Sequence, residues 1–145
     1  MEKHSYNLSL EWTGDRKGIL SSPEFSSTVE VVTPPEFDKG IAGHWSPEHL
    51  FTASVLSCFM TTFLAISEYS KLDFISFECS SDGILEKIEG KYLMTKIIVK
   101  PILTIADLNK IEKAQRVLEL SEKACLISNS IKSEVILKPT INIEN

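Results

Sequence analysis

Three cysteines, Cys58, Cys79 and Cys125, are the residues of this 145-residue chain best equipped for chemistry. A thiolate is a nucleophile, a metal ligand and a redox centre, and its reactivity follows its pKa. Cys58 lies in the run from Leu50 to Ile66, which holds no charged residue, and is flanked by Phe59, Met60 and Phe63. An apolar helix interior raises a thiol pKa, and the helix macrodipole acts only at the ends. Cys58 is therefore either inert core or a reactive thiol served by a cation from elsewhere. The chain has thirteen lysines but only Arg16 and Arg116 as arginines. Arginine is the cation best suited to burial, because it stays protonated and its planar fork can pair a carboxylate.

Arg116 sits in Glu112-Lys113-Ala114-Gln115-Arg116, which reads as a solvated helix face. Arg16 sits in the glycine-flanked turn Thr13-Gly14-Asp15-Arg16-Lys17-Gly18, either as an exposed turn charge or as a cation close to another element. Glu48 is its natural carboxylate partner, although a carboxylate at a helix start also complements the positive helix end without any further role. Ten helical positions separate Glu48 from Cys58, about 15 Å, so the two cannot touch within one straight helix. Cys125 is expected near the end of a second helix, as a core residue or a mobile second thiol. Cys79, on the same strand face as Ile75 and Phe77, is expected to be structural.

The elements that must position these residues follow from the hydrophobic pattern. Tyr6, Leu8, Leu10 and Trp12 alternate with polar residues and predict a half-buried strand. Ile19-Leu20 opens a return strand, and Ser27 to Thr33 predicts a third, ended by Pro34 and Pro35. Ser46-Pro47-Glu48 is a helix start: a capping hydroxyl, a first-turn proline and an acidic residue at the positive end. The uncharged helix that follows approaches the length of a membrane span, but scattered Ser and Thr and the lack of a flanking basic cluster favour a central helix covered on most of its surface. Phe74 to Leu103 is strand-rich, with Asp82-Gly83 and Glu89-Gly90-Lys91 as turn or bulge signals of a meander. Thr104-x-x-Asp107 resembles a capping box, with Leu108, Ile111, Ala114, Leu118 and Cys125 along one helical face. Ser133 to Lys138 predicts a final strand. The order gives one α+β domain spanning 1–145, with sheets packed on a long helix.

Composition narrows the function classes. An apolar fraction of 43 % and a charged fraction of 24 % are those of an ordinary globular protein. A net charge of −5 argues against a general nucleic-acid binder. An odd, small cysteine count argues against a disulfide scaffold, and the start Met1-Glu2-Lys3-His4 lacks a signal-peptide core, so a cytoplasmic location is expected. No Cys-x-x-Cys pair or third ligand accompanies His44 and His49, so no metal site is expected.

The segment from Ser46 to Phe59, SPEHLFTASVLSCF, resembles the central-helix motif of the OsmC/Ohr family of organic hydroperoxide peroxidases, with a Pro-Glu-x-Leu start and a nucleophilic Cys ten residues after the Glu. Cys125-Leu126-Ile127-Ser128-Asn129 is similar to that family's Cys-Pro-x-Ser motif around the resolving Cys, with Leu126 in place of the Pro. Gly14-Asp15-Arg16-Lys17-Gly18 resembles the turn that carries the Ohr arginine. The resemblance implies antiparallel sheets packed around long central helices, in an intertwined homodimer with the site at the subunit interface. It implies that Cys58, held as thiolate by Arg16 and Glu48, becomes a sulfenic acid on an organic hydroperoxide, or on hydrogen peroxide, and that Cys125 resolves it as a disulfide. It further implies no bound cofactor and regeneration by an external dithiol such as a dihydrolipoyl group or a lipoylated protein. Phe51, Phe59, Met60 and Phe63 would line the peroxide pocket, with Trp45 as a further candidate. The alternatives are a non-enzymatic OsmC-like stress or ligand-binding protein, and a hydrolase or acyl transferase pairing Cys58 with His44 or His49.

Overall fold

Gly14 at φ +124° and Asp15 at φ +47° let the chain reverse between β1 (Ser9–Gly14) and β2 (Lys17–Ser22). β3 (Phe25–Val32) pairs with the other edge of β2, giving a three-stranded antiparallel sheet in the order β1-β2-β3. A computed structural model describes residues 2–144, in two compact units, Met1–Leu50 and Phe51–Asn145. The sheet belongs to the first. Its outer strand corrects one expectation: Tyr6, Leu8, Leu10 and Trp12 are exposed, Trp12 at 74 %, and the strand starts at Ser9. Pairing with β2 satisfies the backbone of β1, but no layer of the same unit covers its apolar row.

After β3 the chain folds back on itself. The N–H groups of Phe37 and Ile41 donate to the carbonyls of Pro34 (3.1 Å) and Thr33 (2.8 Å), and the Val32 N–H donates to the Trp45 carbonyl at 2.9 Å. That last bond lays Trp45 beside β3 and sets the start of α1 (Pro47–Tyr69). Ser46 caps the helix as its sequence predicts, its Oγ accepting the His49 N–H at 3.2 Å.

The second unit is built on a long hairpin, β4 (Ser76–Ile88) and β5 (Lys91–Ile105). Glu89 and Gly90 both have positive φ (+49° and +81°), as a two-residue hairpin turn requires. Asp82-Gly83 is not a turn. β4 runs through it, with Gly83 opposite Ile97 and an irregularity in pairing between Ile84 and Leu85. A Cβ on Gly83 would overlap the Thr52 hydroxyl, so this glycine lets α1 approach the sheet. β6 (Glu134–Leu137) and β7 (Thr140–Ile143) both pair with β5, in parallel, so the sheet is mixed rather than antiparallel throughout. β7 has no counterpart in the sequence reading, since four residues just past Pro139 show too little alternation.

α2 (Ile111–Ala124) follows a 3₁₀ turn, Leu108–Lys110. The expected capping box is replaced by Asp107 alone, whose Oδ1 accepts the Asn109 N–H at 2.9 Å, while Thr104 is buried within β5. Ala114, Val117, Leu118 and Ser121 form the buried stripe of α2, whereas Leu108 is exposed. α1 contributes Val55, Phe59 and Phe63, joined by Ile97, Val99, Leu103 and Ile105 of β5. Phe63 stacks on Phe77 with centroids 4.5 Å apart.

The expectation that α1 is covered on most of its surface fails within the chain. Only Val55, Phe59, Phe63 and Ser67 are buried, and Met60 and Leu64 are each 41 % exposed. One sheet face fully covers one helical stripe, at i, i+4, i+8 and so on, and leaves the rest partly or fully exposed. By length and apolarity alone α1 would suffice to cross a bilayer, with a mean hydropathy of 1.8 over eighteen residues. Its buried stripe is engaged by the protein core.

Candidate active site

In the first unit, strand pairing assembles Arg16 and Glu48. Lys17 pairs opposite Val32, and the Thr33 N–H donates to the Arg16 carbonyl at 3.1 Å, which holds the turn against the end of β3. The other edge of β3 holds Trp45 and hence the first turn of α1. Arg16 and Glu48 consequently line one cavity of about 450 Å³, with Leu10, Trp12, Pro34 and Phe37 among its apolar walls.

In the second unit, the two helices assemble the thiols. Cys58 stands beside the buried stripe of α1, next to Phe59. Cys125 caps α2 and continues its stripe from Ser121, fully buried. The chain turns immediately after it: the Asn129 N–H returns to the Cys125 carbonyl (3.1 Å) and the Ser130 N–H to that of Ile127 (2.9 Å). Both cysteines are free thiols.

This turn aims its first amides at sulfur. Burial is the strongest single influence on Cys58 and opposes its anion. Against it act the Ile127 N–H, the Cys125 thiol, the Thr62 hydroxyl (3.9 Å from the sulfur) and the Leu126 N–H, all of which favour the anion. Together they outweigh burial and hold the Cys58 pKa below that of an ordinary thiol. Cys125 moves the other way. Burial pushes its pKa up, the adjacent Cys58 adds to the rise, and the hydroxyl and N–H of Ser128 offset only part of it. Two thiols that act on one another are thus driven apart in acidity, the pattern that separates a nucleophile from a partner that keeps its proton.

Cys79 is half-buried against the core, and burial pushes its pKa to about 11 despite a bond from the Lys100 main chain. It is the structural cysteine the sequence predicts. The donors at Cys58 were not foreseen. A cation seemed necessary, whereas main-chain N–H groups of Leu126 and Ile127 serve the sulfur; amides carry no residue-type signature, so no sequence signal could have found them. Thr62, one helical turn from Cys58, was legible in principle from the i, i+4 spacing.

The expected pocket residues are corrected in part. Phe59 and Phe63 are 1 % and 0 % exposed and stack on Phe77, so they are core and closed to a ligand. Phe51 packs partly buried against the same core, Met60 is exposed, and Trp45 lies edge-on to His49 at 6.3 Å between centroids. His49 Nδ1 hydrogen-bonds Ser46 Oγ at 2.7 Å, and His44 Nδ1 pairs with Glu30 at 2.9 Å. Both histidine rings thus have a partner within the first unit. Among the described residues no three His, Cys, Asp or Glu are grouped to hold a metal ion.

A mixed sheet packed on a long apolar helix, with a second helix that ends at a buried cysteine, defines an α+β domain. The family model for OsmC-like protein matches residues 38–140, and the chain belongs to that family. Among curated proteins it is similar to YmaD of Bacillus subtilis (strain 168), 24 % identical over 141 residues, covering 95 % of this chain and 93 % of YmaD. Among solved structures it resembles an OsmC-like protein from Vibrio cholerae O1, with a TM-score of 0.82 at 20 % identity over 94 % of this chain and 99 % of that one. It also resembles an organic hydroperoxide resistance protein from Elizabethkingia anophelis, with a TM-score of 0.77 at 21 % identity over 99 % of each chain. The OsmC/Ohr fold is therefore that of this chain.

Proposed function

We propose that the chain is a two-cysteine thiol peroxidase acting on organic hydroperoxides. The observation that carries this reading is that Cys58 and Cys125 act on one another and are driven in opposite directions, Cys58 below the ordinary thiol pKa and Cys125 above it. Family membership and relatives named for organic hydroperoxide resistance support it.

The Cys58 thiolate attacks the terminal oxygen of ROOH. The O–O bond breaks, the sulfur is oxidised to a sulfenic acid, and ROH leaves with a proton from solvent. The Cys125 thiol then attacks that sulfur, an S–S bond forms, and the hydroxyl leaves as water with the Cys125 proton. An external dithiol, a dihydrolipoyl group by preference, restores both thiols by exchange and is itself oxidised to a disulfide. Arg16 supplies the cation and Glu48 orients it. The working unit is a cytoplasmic homodimer with the site at the subunit interface, a reading supported by the exposed apolar rows on β1 and α1.

The test supplies cumene hydroperoxide and dihydrolipoamide to the wild type, Cys58→Ser and Cys125→Ser. Turnover is expected in the wild type alone, and mass spectrometry after one equivalent of peroxide is expected to show a Cys58–Cys125 bridge with Cys79 free. Unchanged turnover in Cys58→Ser, or a bridge to Cys79, sinks the proposal.

A further inference from the structure

Four hydroxyls of α1, those of Ser54, Ser57, Thr61 and Ser67, donate back to helix carbonyls, of Phe51 (2.6 Å), Ala53 (2.8 Å), Cys58 (3.0 Å) and Leu64 (3.1 Å). This is the ordinary fate of a Ser or Thr inside a helix. Thr62 differs: its Oγ1 lies 3.9 Å from the Cys58 sulfur.

Neighbouring bonds narrow the choice. Back-bonding would take Thr62 to the carbonyl of Phe59, three residues earlier, or of Cys58, four residues earlier. The Cys58 oxygen already accepts the helical N–H of Thr62 and the hydroxyl of Thr61. With both lone pairs of that oxygen in use, the Thr62 hydroxyl lies against the sulfur of the same residue. Helix geometry favours this, because side chains lean toward the N-terminus and place residue i+4 over residue i. Thr62 is half-buried, beside the core residue Phe63, so water competes poorly for its hydroxyl.

We propose that Thr62 is a dedicated hydrogen-bond donor to Cys58, which stabilises the sulfur as an anion and aims it toward the turn that carries Cys125. The tandem Thr61-Thr62 divides the acceptors of Cys58: the first hydroxyl takes the carbonyl, and the second lies against the sulfur. The Leu126 and Ile127 N–H groups approach the same atom from the turn after α2, so the sulfur is bound from both helices of the second unit. This deepens the assignment of Cys58 as the nucleophile and rests on it.

The experiment reads the reduced protein without peroxide. The pH dependence of Cys58 alkylation by iodoacetamide is followed by quantitative mass spectrometry of the Cys58 peptide, in the wild type, Thr62→Val, Thr62→Ser and Ser57→Ala. Val keeps the shape of Thr and removes the donor. Thr62→Val is expected to slow alkylation at pH 7 about threefold to tenfold and to move the profile to higher pH, as loss of one charge-assisted hydrogen bond would. Thr62→Ser is expected to restore the wild-type profile, and Ser57→Ala to match the wild type, since the Ser57 hydroxyl bonds only to helix carbonyls. A Thr62→Val profile superimposed on the wild type overturns the proposal. So does an equal loss in Thr62→Val and Thr62→Ser, which would assign the effect to packing. A chain that alkylates as expected but turns over no hydroperoxide would overturn the peroxidase reading and leave the role of Thr62 standing.

Discussion

Cys125 lowers the pKa of Cys58 and is itself raised by Cys58, and the turn that begins at Cys125 helps to set which of the two keeps its proton. Leu126 and Ile127 spend their N–H groups on Cys58, while Ser128 spends its N–H and hydroxyl on Cys125. Burial acts on both sulfurs against the anion but more completely on Cys125, so the difference between them comes from burial, from the effect of Cys58 on Cys125, and from the donors. A disulfide between residues on separate helices needs this kind of pre-existing approach, because sulfurs whose Cα atoms lie beyond about 7 Å cannot bond without backbone movement.

A reactivity order follows for the three thiols. A thiol reacts as its thiolate, so its rate rises with pH and levels off above its own pKa. Cys58, lowered, reaches its plateau at the lowest pH; Cys125 is raised, and Cys79 is pushed up to about 11. Limited alkylation of the native protein at pH 7 is expected to label Cys58 ahead of both others, and denaturation is expected to erase the preference. Preferential labelling of Cys79 in the native state would contradict the burial assigned to it.

Arg16 and Glu48 line one cavity, and the proposed mechanism assigns Arg16 the cationic contribution. Arg16→Leu is expected to lower kcat/KM for cumene hydroperoxide by about 100-fold, the usual effect of removing one preorganised charge donor. Arg16→Lys should recover little, because an ammonium lacks the planar fork. Glu48→Gln should lower the rate less than Arg16→Leu, since it loosens the cation without removing it. Stopped-flow peroxide kinetics under excess reductant measure all three.

Gly83 fits beneath α1 because it has no side chain. Gly83→Ala would place a methyl against the Thr52 hydroxyl and 3.0 Å from Met94 Cε. The expected cost is about 1–3 kcal/mol, typical of overpacking a close contact. Chemical denaturation measures it, and the double variant with Thr52→Ala should recover much of the loss. Equal stability of Gly83→Ala and the wild type would show that the helix can lift from the sheet without cost.

Leu64 and Met60 stand exposed on a helix that carries no charge between Leu50 and Ile66. If a second copy covers this face, light scattering should give twice the 16.2 kDa chain mass, and Leu64→Glu should shift the mass toward one copy. A wild-type mass of one copy at micromolar concentration would remove the dimer from the proposal.

Much of the fold was written locally. Ser46-Pro47-Glu48 announces the start of α1, because capping depends on the side chains at the helix end and their immediate neighbours. The spacing of Ala114, Leu118 and Cys125 places the second thiol on the buried face of α2, because helical periodicity is a property of the chain alone. The ranking of Cys79 as structural rested on strand alternation, equally local. Elsewhere local signals misled. Tyr6 to Trp12 alternates as a half-buried strand does, yet burial depends on what covers the strand, and Trp12 is exposed. Asp82-Gly83 looks like a turn, but its glycine answers to a helix hydroxyl distant in sequence. The parallel pairing of β6 and β7 with β5 likewise depends on partners far along the chain.

The sequence by itself determined which residues can do chemistry, a pair of thiols and a scarce arginine, and the helices that carry the thiols. Only the tertiary structure decided the acidity of each thiol. A pKa is a sum over neighbours, and the decisive neighbours of Cys58 are the N–H groups of Leu126 and Ile127, atoms that every residue but proline possesses.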